Sequence, residues 1–600
     1  MLFFNSQVET SVVDNCSGTT TNLYPLVFSS TGEGAESYLQ DPAVKRLIEF
    51  FEHKGLATLK QEDQREGWYE DWIQYQAKHR IYASKLSPQK YSSLGHQFDL
   101  LKLARFLEVF AYFSPAHGYS LHVSFLGLFP ILMSDNEALK KEAIASLERG
   151  GLFAFGVSEK EHGSDLMSNE FTIRRDGSGQ LLAEGSKYYI GNANAAGIIS
   201  ILARNHDSKA ASSSKRTPFA FVALRPAKSP GFQKLRKIRT LGIRTAYVGE
   251  FDVQSHELPD TDIISQGRAA WDAMFATVTL GKFLLGFGSI GICEHAFHEA
   301  FAHLSTRVLF NRPVIEMPHV QQAAAHAYAR LTAMKLFAYR ALDYLHAASE
   351  NDRRYLLFNA VQKAKVGTEG VKVVAQLSEC IGAKGFEADT YFESALRDIQ
   401  LIPSLEGSTH VNYTMTTQFL SAYLFNADDT IVSPPSLTLG QVESRENAYL
   451  LRARTGGTRS ISFNHFLLAY RPLLDIPNVR LFVKQAKAFR LFVLASEARK
   501  RDKARVDWTI ALGRCLSTIA YAQLIAENAV LAQIPNTMMS VIFEQLVESL
   551  SSEALQLAAL APSSSLTKLL IERMDVRPQR QASDLLAVAE LIARPVTVAV

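Results

Sequence analysis

The feature that most constrains this chain is a change of hydrophobic period along it. From about residue 38 to 150, apolar residues recur at three- and four-residue spacing, as in Leu100, Leu103, Leu107 and Phe110. That spacing lines one face of a helix. At Gly151 the texture becomes short runs rich in β-branched and aromatic residues: FAFGV, FTIRR, LLAEGSKYYI, IISILAR and FAFVALR. DGSG, Asp176 to Gly179, reads as a hairpin turn between two of them, and GEFDVQSHELP closes the block on a proline. Helical spacing returns from about 262. Strands confined to one central block argue against the strand–helix alternation of a doubly wound parallel sheet. The expected fold class is mainly α with a central β domain.

Punctuation divides the chain further. Residues 1–37 are rich in Ser, Thr, Asn and Gly and read as a flexible arm. Residues 38–150 read as a helical domain and 151–261 as a β domain. Residues 262–425 hold long helices with short connections, the pattern of an antiparallel bundle. NADDTIVSPPSLTLG, 426–440, reads as a linker, and 441–600 is helical again with a break at APSSS. Length alone predicts about four units at roughly 150 residues each.

Composition narrows the function. Lys plus Arg number 63 against 60 for Asp plus Glu, a formal net charge of +3, so nothing favours nucleic acid as a partner. Cys16, Cys293, Cys380 and Cys515 form no CxxC pair, which supports neither a disulfide framework nor a cysteine metal site. MLFFNSQVET has no basic region, so no secretory leader is expected. The apolar stretch Ala273 to Cys293 is broken by Lys282 and reads as a buried helix. The expected compartment is the cytoplasm.

Two motifs read as decoys. GFGSIG, Gly286 to Gly291, matches GxGxxG, but helical sequence precedes it and no acid stands about 20 residues on. Small residues that let helices approach are the better account. EHAFHEAFAH places Glu294, His295, His298, Glu299 and His303 on one helix. A di-iron bundle needs Glu-x-x-His from two helices, and the second is missing, so no metal is expected.

A more informative set begins with FAFGVSEKEHGSD, which leaves a strand and offers backbone N–H groups and hydroxyls in a loop. GSKYYIGNA, KIRTLGIRTA, RVLFNRPV, SECIGAKGF and RDIQLIPSLEGSTHVN follow in order. Over residues 95 to 425 these segments and their spacing resemble the acyl-CoA dehydrogenase family. The resemblance implies an N-terminal helical domain, a middle β-barrel domain and a C-terminal four-helix bundle. It implies FAD as cofactor and α,β-dehydrogenation of an acyl thioester, carried by coenzyme A or a carrier protein.

Residue by residue, the resemblance places Phe155, Val157 and Ser158 beside the flavin ring. It places Gly163 and Ser164 by the pyrophosphate, with Ser164 also by the substrate's pantetheine arm. Tyr189 and Gly191 match a second strand contact. Arg307 and Phe310 match residues that reach a neighbouring subunit's cofactor, which implies a homodimer or higher homo-oligomer. Gln322 (or Gln321), Glu379, Gly382, Ala383, Ser408 and His410 match further cofactor positions. Gly407 falls by the substrate, and Glu406 matches the catalytic base. Removing an α-proton requires a base within about 3 Å and donors for the developing enolate.

Several positions depart from the family pattern. Gly191 has no side chain to offer, Phe310 to Gln322 is about two residues long, and Glu379 adds an acid near phosphates. The electron acceptor is left open between an electron-transfer flavoprotein and oxygen, the latter making the chain an acyl-CoA oxidase. A flavin monooxygenase on this fold is disfavoured by Glu406, and a non-catalytic scaffold is the alternative from another class. The extra C-terminal helices are like those of very-long-chain acyl-CoA dehydrogenases and acyl-CoA oxidases. Within them, Arg480, Lys484 and Lys487 share one helix face while Phe482, Phe489 and Val493 share another. Such a basic amphipathic helix suits either a solvated face or peripheral membrane contact.

Overall fold

The structure, a computed structural model, describes residues 38, 40–206, 219–452, 458–496, 505–560 and 564–593. The arm 1–37, with Cys16, lies outside the described residues. The chain forms two compact units, described separately. One is Glu49–Leu284 with Ser444–Gly456, and the other is Met1–Ile48 with Leu285–Glu443 and Gly457–Val600.

The first unit joins the N-terminal helices to the β domain. After α1 (Pro42–Arg65) come α2 (Glu70–His79), α3 (Ile81–Leu86), α4 (Leu100–Phe113), α5 (Pro115–Met133) and α6 (Glu137–Glu148). Asp99 caps α4 by accepting from Leu101 and Lys102 N–H, and Ser114 caps α5, which has Pro at its first position. α5 is apolar nearly all round and almost wholly buried, so it is a core helix. It packs on the sheet: Ser200 Oγ donates to Gly127 O at 2.6 Å and Asn192 Nδ2 to Ser120 O at 2.9 Å.

Eight strands form one mixed sheet: β1 (Leu152–Gly156), β2 (Thr172–Arg175), β3 (Leu181–Gly191), β4 (Ala196–Asn205), β5 (Phe219–Leu224), β6 (Phe232–Lys237), β7 (Val248–Glu257) and β8 (Ile263–Gln266). The order is β6-β7-β3-β2-β4-β5-β8, with β1 parallel to β4. Among the described residues no hydrogen-bonded pair joins β6 to β8. Ile173, Ala183, Ile201, Val222, Phe251 and Val253 fill its core. All five apolar runs and the closing GEFDVQSHELP block form strands, and Asp176 closes the DGSG turn by accepting from Ser178 and Gln180 N–H. β6 (FQKLRK) and β8 carry no apolar run. β6 is a charged, largely exposed edge, and β8 is only four residues long.

The second unit is helical. α7 (Gly267–Thr306) leads to a hairpin, β9 (Val308–Leu309) and β10 (Arg312–Pro313), then α8 (Pro318–His346) and α9 (Tyr355–Val361). A π-helical turn (Gln362–Val366) joins α9 to α10 (Gly367–Cys380). α11 (Tyr391–Asp398), α12 (Leu401–Ser404), α13 (Thr409–Thr416) and α14 (Leu420–Phe425) follow. The later helices are α15 (Pro477–Ala495), α16 (Val506–Leu531), α17 (Asn536–Ala558), α18 (Ser565–Glu572) and α19 (Ala582–Ala593).

α7 and α16 are long and apolar enough to cross a membrane, yet 83% of the most apolar window of each is buried. The GFGSIG segment is helical, and a Cβ on Gly286 would meet the Gln362 side chain at 2.2 Å. Close helix packing explains that glycine. Segment 426–440 is pinned rather than loose: Arg340 donates to Pro434 O, Leu437 N–H donates to Asp343, and Ser436 to Thr438 are buried. The basic amphipathic helix is α15, Pro477–Ala495. Arg480, Lys484 and Lys487 are exposed on α15, while Phe482, Phe489 and Val493 enter the core. Residues 497–504 lie outside the described residues.

Candidate active site

In the first unit the predicted residues gather on the loop after β1 and the end of β3. Phe155 stacks on Phe221, with ring centroids 5.9 Å apart. The loop is tied to β3 by Ser158 Oγ donating to Tyr188 O at 2.6 Å and Tyr188 N–H donating to Ser158 O at 3.0 Å. Beneath it lies an ion pair that residue spacing alone does not reveal. Lys187 Nζ meets Glu159 Oε1 at 2.9 Å, and both side chains are buried.

This pair organises the loop. Lys187 also donates to Val157 O at 3.1 Å. Glu159 accepts from Glu170 and Phe171 N–H at 2.7 and 2.9 Å. Burial pushes the Lys187 ammonium down to about 8, against the pull of Glu159. Burial opposes ionisation of Glu159, but the Lys187 charge and the two N–H groups hold its carboxyl below the usual range. The loop is thus fastened at both ends, while Gly163, Ser164 and Asp165 at its crown are exposed. Nothing lies within 4 Å of a Cβ placed on Gly163, so its backbone is open to a ligand.

Tyr189 sits at a bulge in β3 with φ 62° and is 59% exposed. A left-handed tyrosine in a strand is uncommon, and here it turns an aromatic ring outward. Gly191 behaves differently. It is buried, and a Cβ there would meet Val123 at 2.6 Å and Tyr119 at 2.8 Å. That glycine serves the packing of α5 on β3.

In the second unit the residues form two groups. Arg307 starts the β9–β10 hairpin, whose turn residues Phe310 and Asn311 both have positive φ, 51° and 60°. The turn leaves Phe310 87% exposed, and Phe386, in the turn after α10, is 94% exposed. Burial and the nearby cations Arg307 and Lys384 push His303 down, so the hairpin base and the 382–386 turn lie at one end of the bundle. Glu379, Gly382 and Ala383 are exposed there, and Gly382 has φ 61°. Gln322 is exposed in the first turn of α8.

The other group is the turn from α12 into α13. Glu406 is half-buried with φ 52°, and Gly407 follows with φ 92°. Two successive left-handed residues, one not glycine, make a strained turn that its surroundings must hold. Asn412 holds it: fully buried, it donates from Nδ2 to Gly407 O and Ser408 O, both at 3.0 Å. Ser408 is the N-cap of α13, its side chain makes no capping bond, and His410 is exposed. Glu406 therefore sits ahead of the helix rather than in its first turn.

The models of two domains match this chain. "Acyl-CoA dehydrogenase, middle domain" covers residues 154–255, and "Acyl-CoA dehydrogenase, C-terminal domain" covers 271–420. Residues 154–255 and 271–420 thus match the middle and C-terminal domains of acyl-CoA dehydrogenases. An acyl-CoA dehydrogenase of Bacillus subtilis is 26% identical over 336 residues, 56% of this chain and 85% of that protein. A glutaryl-CoA dehydrogenase of Desulfococcus multivorans is 26% identical over 328 residues, 54% of this chain and 81% of that protein. The first match spans β1–β7 and the second α7–α13. The fold of a Bacillus anthracis acyl-CoA dehydrogenase complexed with FAD superposes with a TM-score of 0.69 at 17% identity, covering 93% of each chain. That shared fold extends beyond the 271–420 match into the added helices.

Proposed function

We propose that this chain is an FAD-dependent acyl-thioester dehydrogenase in which Glu406 is the base. The carrying observation is the strained Glu406–Gly407 turn, held by buried Asn412 immediately ahead of α13. The residues of the first unit fit a flavin dinucleotide. Open backbone at Gly163 and Ser164 suits a pyrophosphate, and the outward ring of Tyr189 gives an apolar surface. Gly191, covered by Tyr119 and Val123, is left out of that set. Bound FAD would supply the two-electron acceptor for the substrate's β-hydrogen.

The protein's own part is proton removal and enolate stabilisation. Glu406 takes the α-proton onto a carboxylate oxygen, and the electron pair of the broken C–H bond stays on the substrate carbon. The thioester oxygen gains charge as this happens, and a backbone N–H at the 406–407 turn is suited to donate to it. Ser164 at the loop crown would lie by the pantetheine arm of the thioester. Phe310 and Phe386, almost fully exposed, are suited to burial by a second copy of the chain, in keeping with a homo-oligomer.

The test has two parts. The purified chain is expected to carry oxidised-flavin absorbance, and a colourless protein that binds no FAD overturns the reading. Glu406→Gln is expected to keep the flavin and lose exchange of the substrate α-proton with deuterated solvent, whereas wild-type exchange means another base. Turnover with oxygen against turnover with an electron-transfer flavoprotein then assigns the acceptor.

A further inference from the structure

The helices beyond residue 441 make an unusually close contact with the segment that carries Glu406. In α16, Gly513 lies against the backbone of Tyr413 in α13. A Cβ on Gly513 would meet Tyr413 O at 2.1 Å and its carbonyl carbon at 2.6 Å. Two hydroxyls meet at the same crossing. Thr416 Oγ1 lies 3.4 Å from Gly513 O and Ser517 Oγ 3.4 Å from Thr416 Oγ1, while each donates more closely within its own helix, to Tyr413 O at 2.8 Å and to Gly513 O at 2.6 Å. The Arg514 guanidinium stands 5.4 Å from the Tyr413 ring centroid. One residue before Tyr413 is Asn412, whose amide holds the carbonyls of Gly407 and Ser408. A displacement of α13 at Tyr413 therefore reaches the Glu406 turn within two turns of helix.

The other flank of the turn is braced from the same side. Lys365, buried in the π-helical turn, donates to Thr518 of α16 at 2.9 Å and pairs with Glu553 of α17 at 3.4 Å. Thr518 donates to Glu553 at 2.8 Å. Two residues back, Lys363 Nζ donates to Ile402 O in α12, and Gly367 packs under Ile402. α12 ends at Ser404, two residues before Glu406. A π-helical turn inside a helix often marks a functional place. Here it carries the lysines that connect α12 to the C-terminal helices.

We propose that the C-terminal helical appendage is part of the catalytic apparatus: through Gly513, α16 sets the position of α13 and hence of the Glu406 carboxylate. Gly513 is a positioning residue, and the proposal rests on Glu406 being the base. The experiment compares Gly513→Ala, Gly513→Val and Thr518→Val with the wild type and with Glu406→Gln in the full-length flavin-loaded protein. It reads α-proton exchange, kcat and KM for an acyl-CoA, flavin absorbance and the urea midpoint.

Gly513→Ala is expected to lower kcat and exchange about 10- to 100-fold, with KM and flavin absorbance kept, because a base shifted by an ångström loses its alignment. Thr518→Val is expected to shift kcat in the same sense by a smaller factor. A Cβ 2.1 Å from Tyr413 O forces backbone to shift, so a merely structural α16 predicts a lower urea midpoint in Gly513→Ala with wild-type turnover and exchange in the folded protein. That result overturns the proposal. If Gly513→Val does not fold, Gly513→Ala and Thr518→Val decide. Exchange that survives Glu406→Gln overturns the base assignment instead. Exchange lost in Glu406→Gln but unchanged in Gly513→Ala overturns only the role of α16.

Discussion

The loop after β1 and the Glu406 turn are both irregular segments that hold candidate ligand-binding groups, but they are fixed by opposite means. The loop rests on a buried charge pair, Lys187 with Glu159, supplemented by backbone donors. The turn is held directly by neutral contacts, the Asn412 amide and the packing of α13 on α16, with the Lys365–Glu553 pair one element further away. A charge pair tolerates some movement but depends on protonation. A steric contact is indifferent to pH but intolerant of added volume. The loop after β1 should therefore respond more to pH, and the Glu406 turn more to shape.

The sharpest separation comes from pairing Glu406→Gln with Lys187→Met. Glu406→Gln should lower turnover by about 10²- to 10⁴-fold, the usual range for a lost general base, with the urea midpoint almost unchanged. Lys187→Met should do the reverse. It strands a buried carboxylate, and removing one partner of a buried pair costs about 3–5 kcal/mol. Urea unfolding would show that loss, and Glu159→Gln added to Lys187→Met should recover part of it. A stable, fully flavinated Lys187→Met protein would break the comparison.

pH sharpens it further. The folded Lys187 value of about 8 lies below the ordinary lysine value of 10.5. Between those two pH values the unfolded chain binds more protons at this group than the folded one. Its contribution to stability therefore rises with pH across that window. Lys187→Met should flatten this part of the stability curve, whereas Asn412→Ala should leave its shape alone. Asn412→Ala leaves two carbonyls short of a donor at about 1–3 kcal/mol, seen as a lower urea midpoint together with a lower kcat. Ser158→Ala removes one hydrogen bond to Tyr188 O and should cost only about 1 kcal/mol, with flavin retained.

Much of this was legible beforehand, for physical reasons tied to particular segments. The five apolar runs and the closing GEFDVQSHELP block are legible because each of β1 to β5 and β7 turns apolar side chains into the core, which favours β-branched and aromatic residues. β6 is not, because an exposed edge strand reads as a charged segment. The hairpin tip at Phe310–Asn311 is hidden for another reason: a turn with two positive φ values usually announces itself with glycine, and this one has none. The burial of α5 against β1 and β4 is hidden too, because contact between a helix and distant strands leaves no local spacing signal. Glu406, Gly163 and Ser164 stand out through family motifs that are contiguous in sequence, and all three lie within the matched domains.

The sequence by itself determined where helix gives way to strand and back, and which short segments carry the family's chemistry, since both are encoded in local periodicity and local spacing. Tertiary structure alone decided what holds those segments. Glu159 meets Lys187 across 28 positions, and Gly513 meets Tyr413 across 100. Neither partner is marked locally: a lysine in a strand and a glycine in a helix look unremarkable until folding buries one beside a carboxylate and the other against a backbone. The C-terminal helices, uninformative as sequence, acquire a role only through that second contact.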